Sequence, residues 1–209
     1  MSLLNLQDRF VDAFLNQVDP ASAALIVDRV LMRYQSQERA YHNTKHLVNM
    51  CDVLTGFGPP TKHPQLYLAV LYHDAIYDSR AKDNEEASAM LAEQDLSAIG
   101  FDVSYIDRVK SLIMTTREHV PAPDDEEAAW LVDADLAVLA ASPQDYLPYA
   151  QAIRAEYAWV PEPDYRKGRA GVLKRFLARS PLFWVPEHRA TWEERARQNL
   201  ARELVELTY

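Results

Sequence analysis

The feature that decides the fold is an apolar stretch at residues 66–77, LYLAVLYHDAIY. Its apolar residues cover almost the whole circumference of a helix, which is typical of a helix at the centre of a protein. Only His73 and Asp74 interrupt the stretch with groups that ionise. At about 100° per residue, His73 shares a face with apolar residues and is predicted to point inward, with Asp74 beside it. Because an unpartnered buried carboxylate is costly, this pair needs a compensating group.

The rest of the chain is predicted to be helical as well. Apolar residues recur at helical spacing, and no stretch shows the sustained alternation of a half-buried strand. Candidate helices are predicted near residues 4–17, 20–36, 44–56, 64–77, 84–98, 103–117, 126–141, 143–159, 164–179 and 187–207. Only 5 of the 209 residues are glycine, so few turns need a positive φ. We therefore predict an all-α fold, with residues 1–209 forming a single compact helical domain.

The charge and the apolar runs exclude two classes of partner. The chain has 22 basic and 31 acidic residues, mixed throughout, and a formal net charge of −9. It therefore offers no basic stripe to duplex nucleic acid. The longest apolar runs, at residues 66–72 and 136–141, are far shorter than the roughly 20 residues that span a bilayer. A small anionic substrate is compatible with this composition, because a few local cations or a metal ion can attract it.

The single cysteine bears on the expected location of the protein. Cys51 has no second cysteine with which to form an internal disulfide, which favours a reducing compartment. The first residues, MSLLNLQDRF, lack the pattern of a signal peptide. We therefore expect a cytoplasmic protein, for which a homo-oligomer is neither required nor forbidden.

Two further segments place an ionisable side chain on an apolar face. His46 shares the face of Met50 and Val53 and is predicted to point inward. In the segment WLVDADLAVL at residues 130–139, two aspartates lie about 200° apart on a helix, so only one can share the apolar face. Asp135 lies at the centre of that face, whereas Asp133 points to the opposite side.

The inward-pointing groups form a ligand set for a metal ion. His46, His73, Asp74 and Asp135 offer two imidazole nitrogens and two carboxylates, which suit a divalent ion of manganese, iron, cobalt, nickel, zinc or magnesium. Four such ligands leave coordination positions open for water or substrate on a six-coordinate ion. The alternative is that each group is satisfied separately by hydrogen bonds in a helical core. Four such groups from separated segments favour one metal ion.

Several motifs carry a resemblance to a known family. They are RxYHNxxH at 39–46, YHDxxY at 72–77, NEExSA at 84–89, DADL at 133–136, IRAEY at 153–157, GR at 168–169 and ARQNL at 196–200. The order His46, His73-Asp74, Asp135 resembles the H…HD…D signature of the HD-domain superfamily. With the flanking motifs, most of the chain resembles a branch of predicted metal-dependent hydrolases in that superfamily.

The resemblance implies an all-α fold and a metal site with His46, His73, Asp74 and Asp135 as ligands. The site is then built from segments between residues 42 and 135, and the C-terminal helices at residues 143–207 close the pocket. Asp74 would also orient an attacking water molecule and thus belong to the catalytic group.

Two more residues are candidates near the metal. Glu85 is predicted to face inward from its helix and to serve as a general base or proton shuttle; the alternative is a first-turn acid favoured by the helix dipole. His119 follows the end of a helix, where a contact with phosphate or with the helix end is expected. Since His119 is the only histidine between His73 and Asp135, a complete set of ligands for two metals is not evident.

Three residues are candidates for contact with the substrate. His42 lies four residues before His46, either on the same helical face or, if Asn43 caps the helix, on a loop at the pocket mouth. Arg154 and Tyr157 are predicted to lie nearest the substrate from the C-terminal half, because a guanidinium group suits a phosphate. The alternative for Arg154 is an ordinary salt bridge.

The residues together predict a metal-dependent phosphohydrolase, either a phosphomonoesterase or a phosphodiesterase. Its expected substrate is a small phosphorylated metabolite, a nucleotide or a related phosphoester. One alternative is a helical module that binds a nucleotide or a partner and retains a structural metal. Another is an iron-dependent oxygenase-type HD protein, which needs more ligands than the sequence shows.

Overall fold

The computed structural model describes residues 3–14 and 17–208, and no strand occurs in that part of the chain. Its ten α-helices are α1 (Leu3–Asp12), α2 (Pro20–Arg33), α3 (Thr44–Leu54), α4 (Pro64–Tyr72), α5 (Asn84–Ala98), α6 (Val103–Glu118), α7 (Glu126–Leu136), α8 (Pro143–Glu156), α9 (Glu162–Ala178) and α10 (Pro186–Thr208). A short 3-10 helix, Ala137–Ala140, follows α7. The predicted all-α fold is confirmed. The end of the first predicted helix falls partly on residues 15 and 16, which lie outside the described residues.

Helix α4 is shorter than its apolar pattern predicts. The pattern continues to residue 77, but the helix ends at Tyr72. The buried guanidinium of Arg39 donates hydrogen bonds to the backbone oxygens of Asp74 at 2.6 Å and Ala75 at 3.0 Å. These bonds satisfy two carbonyl oxygens of the turn that follows α4. The His-Asp pair therefore lies at the C-terminal end of α4 rather than inside it.

The apolar core has two parts that meet at α7. The first part surrounds α4, whose side chains from Leu66 to Tyr72 are at most 1% exposed. The second part joins the 3-10 helix to α8, α9 and α10. Leu131 of α7 packs in the first part and its neighbour Val132 in the second. Because α7 has two buried faces, it joins the core around α4 to the core formed by the C-terminal helices.

Asp133 connects α7 to the segment before α10, from the face of α7 opposite to Asp135. The side chain is completely buried, and its carboxylate accepts hydrogen bonds from the backbone N–H groups of Trp184 at 2.8 Å and Val185 at 2.9 Å. Nδ1 of His188 lies 3.0 Å from the same carboxylate. Asp133 points away from Asp135, as predicted, but the expectation that only Asp135 lies on a buried face is wrong, because Asp133 is fully buried and 14% of the Asp135 side chain is exposed. Its hydrogen bonds anchor the segment that leads into α10.

A cavity of about 650 Å³ lies between the two parts of the core. Residues at the ends of α4 and α7 line one wall, and residues of α8 and α9 line the other. Helix α10 packs behind α9 and supplies none of the lining residues. Of residues 143–207, which were expected to close the pocket, α8 and α9 therefore contribute to the lining and α10 does not. None of the helices in the described part of the chain has the length and apolar character needed to cross a membrane.

Candidate metal centre

Three of the predicted ligands converge on one point. His46 lies in the first turn of α3, His73 caps the C-terminus of α4, and Asp135 lies at the end of α7. One ligand atom from each lies within 4.8 Å of the other two, and this group could hold a metal ion. Nε2 of His46 is 3.2 Å from Nε2 of His73 and 3.1 Å from Oδ1 of Asp135. All three side chains are buried or nearly so.

Asp74 borders this group. Its Oδ2 atom lies 3.0 Å from Nε2 of His73, and 14% of its side chain is exposed. The backbone N–H of Asp74 donates to the hydroxyl of Tyr34 at 3.2 Å, and its carbonyl accepts from Arg39. Both bonds fix the peptide units that carry the carboxylate. The structure therefore brings three of the four predicted ligands together and places the Asp74 carboxylate beside His73, outside that group.

The donor atoms fit a divalent ion. Nδ1 of His73 lies 2.9 Å from the backbone oxygen of Val70, which can only accept, so Nδ1 carries a proton. In the neutral ring, Nε2 then directs a lone pair toward His46 and Asp74. Atoms this close repel each other unless a metal ion or a proton lies among them. Adjacent ligands at about 2.1 Å from an octahedral ion are about 3.0 Å apart, close to the observed spacings.

The pKa values of the clustered histidines and aspartates are set by burial and by the opposite charges beside them. Burial alone would raise the pKa of Asp135, but hydrogen bonds from His119 and His46 outweigh it and hold the pKa well below its usual range. Burial is likewise outweighed at Asp74, whose pKa the neighbouring histidines lower. Burial lowers the pKa of His46, whereas the carboxylates overcome burial at His73 and raise its pKa to about 9. The carboxylates are therefore ionised at neutral pH and attract a cation.

His119 contacts the cluster through Asp135. It caps the C-terminus of α6 in the left-handed conformation, with a φ of 53°. Its Nε2 lies 3.0 Å from Oδ2 of Asp135, while Oδ1 faces His46. Trp184 donates to the His119 carbonyl at 3.1 Å and holds the turn. The predicted position just after a helix is confirmed, and the contact with Asp135 orients that carboxylate.

His42 lies on the loop before α3. Asn43 caps the helix by accepting from the N–H of Lys45 at 2.9 Å, so the loop alternative is the correct one. The ring stacks on Tyr77, with centroids 4.2 Å apart, and lines the cavity. Its Nδ1 lies 2.6 Å from Oε2 of Glu156.

Sequence reasoning missed Glu156 and Arg39. Glu156 is buried at the end of α8, and Arg39 is buried on the loop before α3. Both belong to quoted motifs, IRAEY and RxYHNxxH, and this is the signal that could have found them. Within the described part of the chain, Arg39 makes no ion pair and donates to backbone oxygens, those of His42, Asp74 and Ala75. It therefore joins the loop that carries His42 to the turn that carries Asp74.

The remaining candidates differ in their relation to the cavity. Glu85, in the first turn of α5, and Tyr157, at the end of α8, line it. Arg154 does not: it forms an ion pair with Glu162 at 2.9 Å and donates to the carbonyl of Tyr157 at 2.7 Å. The structure therefore favours the salt-bridge alternative for Arg154 over contact with a substrate. The basic residues that line the cavity are Lys82, Arg117 and Arg169.

Comparison of the chain with known protein-family models, curated proteins and solved structures gives no match.

Proposed function

We propose that this protein is a metal-dependent phosphohydrolase of the HD type, acting on a small phosphorylated metabolite such as a nucleotide or a related phosphoester. The observation that supports it best is the His46-His73-Asp135 group, bordered by Asp74, at the wall of a 650 Å³ cavity. A purely structural metal site is closed by protein ligands on all sides, whereas reactive sites leave positions open. Here Asp74 and Asp135 both line the cavity.

The residues that would hold the ion are His46, His73, Asp74 and Asp135. A bound divalent ion supplies a Lewis acid that polarises a phosphoryl oxygen and lowers the pKa of a bound water molecule. The mixed nitrogen and oxygen donors suit manganese, iron, cobalt, nickel, zinc or magnesium. His119 holds the Asp135 carboxylate at 3.0 Å, and such outer contacts orient ligands.

Side chains on the cavity wall supply the other functions. Lys82 and Arg117 place positive charge on the wall of an acidic protein, which favours an anionic substrate. Arg117 also pairs with Glu86, so its charge is partly neutralised before substrate binds. Glu85 lies on the same wall and would accept a proton during hydrolysis. Asp74 would orient the attacking water, and Tyr157 would contact the substrate.

A hydrolysis assay tests this function. The purified protein is incubated with each of the six candidate metals and a panel of nucleotides and phosphomonoesters, and released phosphate is measured. We expect the wild type to release phosphate. In Asp135→Asn the rate should fall at least a hundredfold, because the substitution removes the negative charge and replaces one ligand oxygen by an NH₂ group. Asp107→Asn, an exposed position on α6, is the matched control and should keep the wild-type rate.

The outcomes separate the proposal from its alternatives. Metal binding without turnover of any phosphoester would favour a binding module with a structural metal. Consumption of oxygen by the iron-loaded protein would favour the oxygenase-type alternative. Equal activity in Asp135→Asn and Asp107→Asn would contradict the proposed site.

A further inference from the structure

Glu156 of α8 is the most heavily hydrogen-bonded carboxylate near the cavity that the proposed function does not use. Its Oε1 accepts from the backbone N–H groups of Tyr41 at 2.7 Å and His42 at 2.9 Å. Its Oε2 accepts from the hydroxyl of Tyr77 at 2.8 Å and lies 2.6 Å from Nδ1 of His42. Both oxygens are therefore engaged, and the side chain is completely buried.

The hydrogen bonds of Glu156 determine which ring nitrogen of His42 carries the proton. Three donors other than the His42 ring point at Glu156, and although burial raises its pKa, the hydrogen bonds that it accepts lower the pKa overall, so the carboxylate is ionised and can only accept. Nδ1 of His42 must then carry a proton. In the neutral ring this leaves the lone pair on Nε2, at the opposite side of the ring.

The surroundings of the ring leave Nε2 to the cavity. Tyr77 covers one ring face at 4.2 Å, and Tyr41 packs edge-on at 5.0 Å. Nδ1 is engaged by Glu156, yet 21% of the His42 side chain is exposed and the residue lines the cavity. The ring centroid lies 6.0 Å from that of His46, so the His42 ring is near the metal group without being one of its members.

We propose that Glu156 is a positioning residue that holds His42 in the Nδ1–H tautomer, so that Nε2 accepts a hydrogen bond from the attacking water in the cavity. Glu156 belongs to α8, whereas His42 lies on the loop before α3. The packing of α8 against this loop therefore sets the tautomer of His42. A carboxylate that fixes the tautomer of a histidine is a recurrent device in hydrolytic sites. The role of His42 rests on the proposed hydrolase function, whereas its tautomer does not.

The first test reads the tautomer directly, without metal or substrate. Long-range ¹⁵N NMR spectra of the histidine rings are recorded on the metal-free full chain, at a pH where His42 is neutral, and His42→Gln identifies its signals. We expect the Nδ1–H tautomer in the wild type. Glu156→Gln should convert it to Nε2–H, because the amide NH₂ donates to Nδ1. Retention of the wild-type tautomer in Glu156→Gln would overturn the proposal.

The second test separates positioning from a general structural effect. In Glu156→Gln we expect kcat to fall about a hundredfold or more, as for misplaced catalytic groups, with KM and metal content within about threefold of the wild type. Glu156→Asp keeps an ionised acceptor and should retain the tautomer and more of kcat. It serves as the second variant if Glu156→Gln does not fold. Glu93→Gln, a half-exposed glutamate that pairs with Lys110, is the matched control.

The results distinguish failure of the inference from failure of the proposed function. If the wild type hydrolyses a phosphoester and Glu156→Gln keeps its kcat, only the inference is wrong. If the wild type hydrolyses nothing, the proposed function fails and the water-binding role of His42 fails with it. If metal content falls in parallel with kcat, Glu156 is structural and the inference is overturned.

Discussion

Asp133 and Asp135 lie two residues apart on α7, and the structure predicts that they have separate roles. Replacing Asp133 by alanine removes the acceptor for the backbone N–H groups of Trp184 and Val185. An unsatisfied buried donor costs about 1–3 kcal/mol, so two such donors cost about 2–6 kcal/mol. That is a large part of the roughly 5–15 kcal/mol by which a domain is stable. Metal binding should survive in the folded fraction, since Asp133 points away from the cluster.

The assay is urea denaturation in the presence of a chelator, followed by circular dichroism. We expect Asp133→Ala to lower the unfolding midpoint with an unchanged m-value, the sign of a change in stability alone. Asp133→Asn should lose less, because its amide oxygen still accepts. A loss of less than about 1 kcal/mol in Asp133→Ala would refute the anchoring role. Loss of metal binding by a fully folded Asp133→Ala would refute the separation of roles.

Three further predictions concern the groups around the cluster. The pKa of His73 is raised from 6.5 to about 9, so its proton stabilises the metal-free protein fully below pH 6.5 and this stability is lost as the pH rises through about 9. Melting temperatures with chelator should show that decline, and His73→Gln should flatten it; a parallel decline in both proteins would contradict the assignment. Arg39→Lys cannot bridge the same three carbonyls and should weaken metal affinity by about 10–100-fold in calorimetric titrations, whereas unchanged affinity would show that Arg39 does not support the site. Glu85→Gln should lower kcat by about 10²–10⁴-fold at constant metal content, and a change below about threefold would leave Glu85 only its interaction with the helix dipole.

The fold was predictable because apolar periodicity is a local property. Each of the ten predicted helices has a counterpart, and the burial of His46 and His73 agrees with the faces predicted from helical geometry. The convergence of these residues required the additional reasoning that buried polar groups need partners. Their mutual distances depend on helix packing, which periodicity does not describe.

The end of α4 shows what local pattern could not predict. The apolar run continues past Tyr72, but the helix ends there, and Arg39, more than 30 residues earlier in the sequence, donates to the backbone oxygens of the turn that follows. The turn that results places Asp74 beside Nε2 of His73. The contact between Arg39 and this turn joins segments that are far apart in the sequence, so the apolar periodicity of neither segment predicts it.

Glu156 and Arg154 show the same limit of local sequence patterns. The sequence offers Arg154 as the natural phosphate contact, but its guanidinium is used by Glu162 and by nearby carbonyls. Glu156, two residues later, is buried against a loop 114 residues away in sequence and holds His42. Only the packing of α8 against the N-terminal helices distinguishes the two.

The most direct test of the account is the metal content of the protein. Wild type, Asp135→Asn and Asp107→Asn are loaded with each candidate ion, dialysed, and analysed by mass spectrometry for metal per chain. The account predicts about one ion per chain in the wild type and in Asp107→Asn, and a loss of most of it in Asp135→Asn. A wild type that retains none of the candidate ions, or an Asp135→Asn protein that retains as much as the wild type, would contradict the central claim.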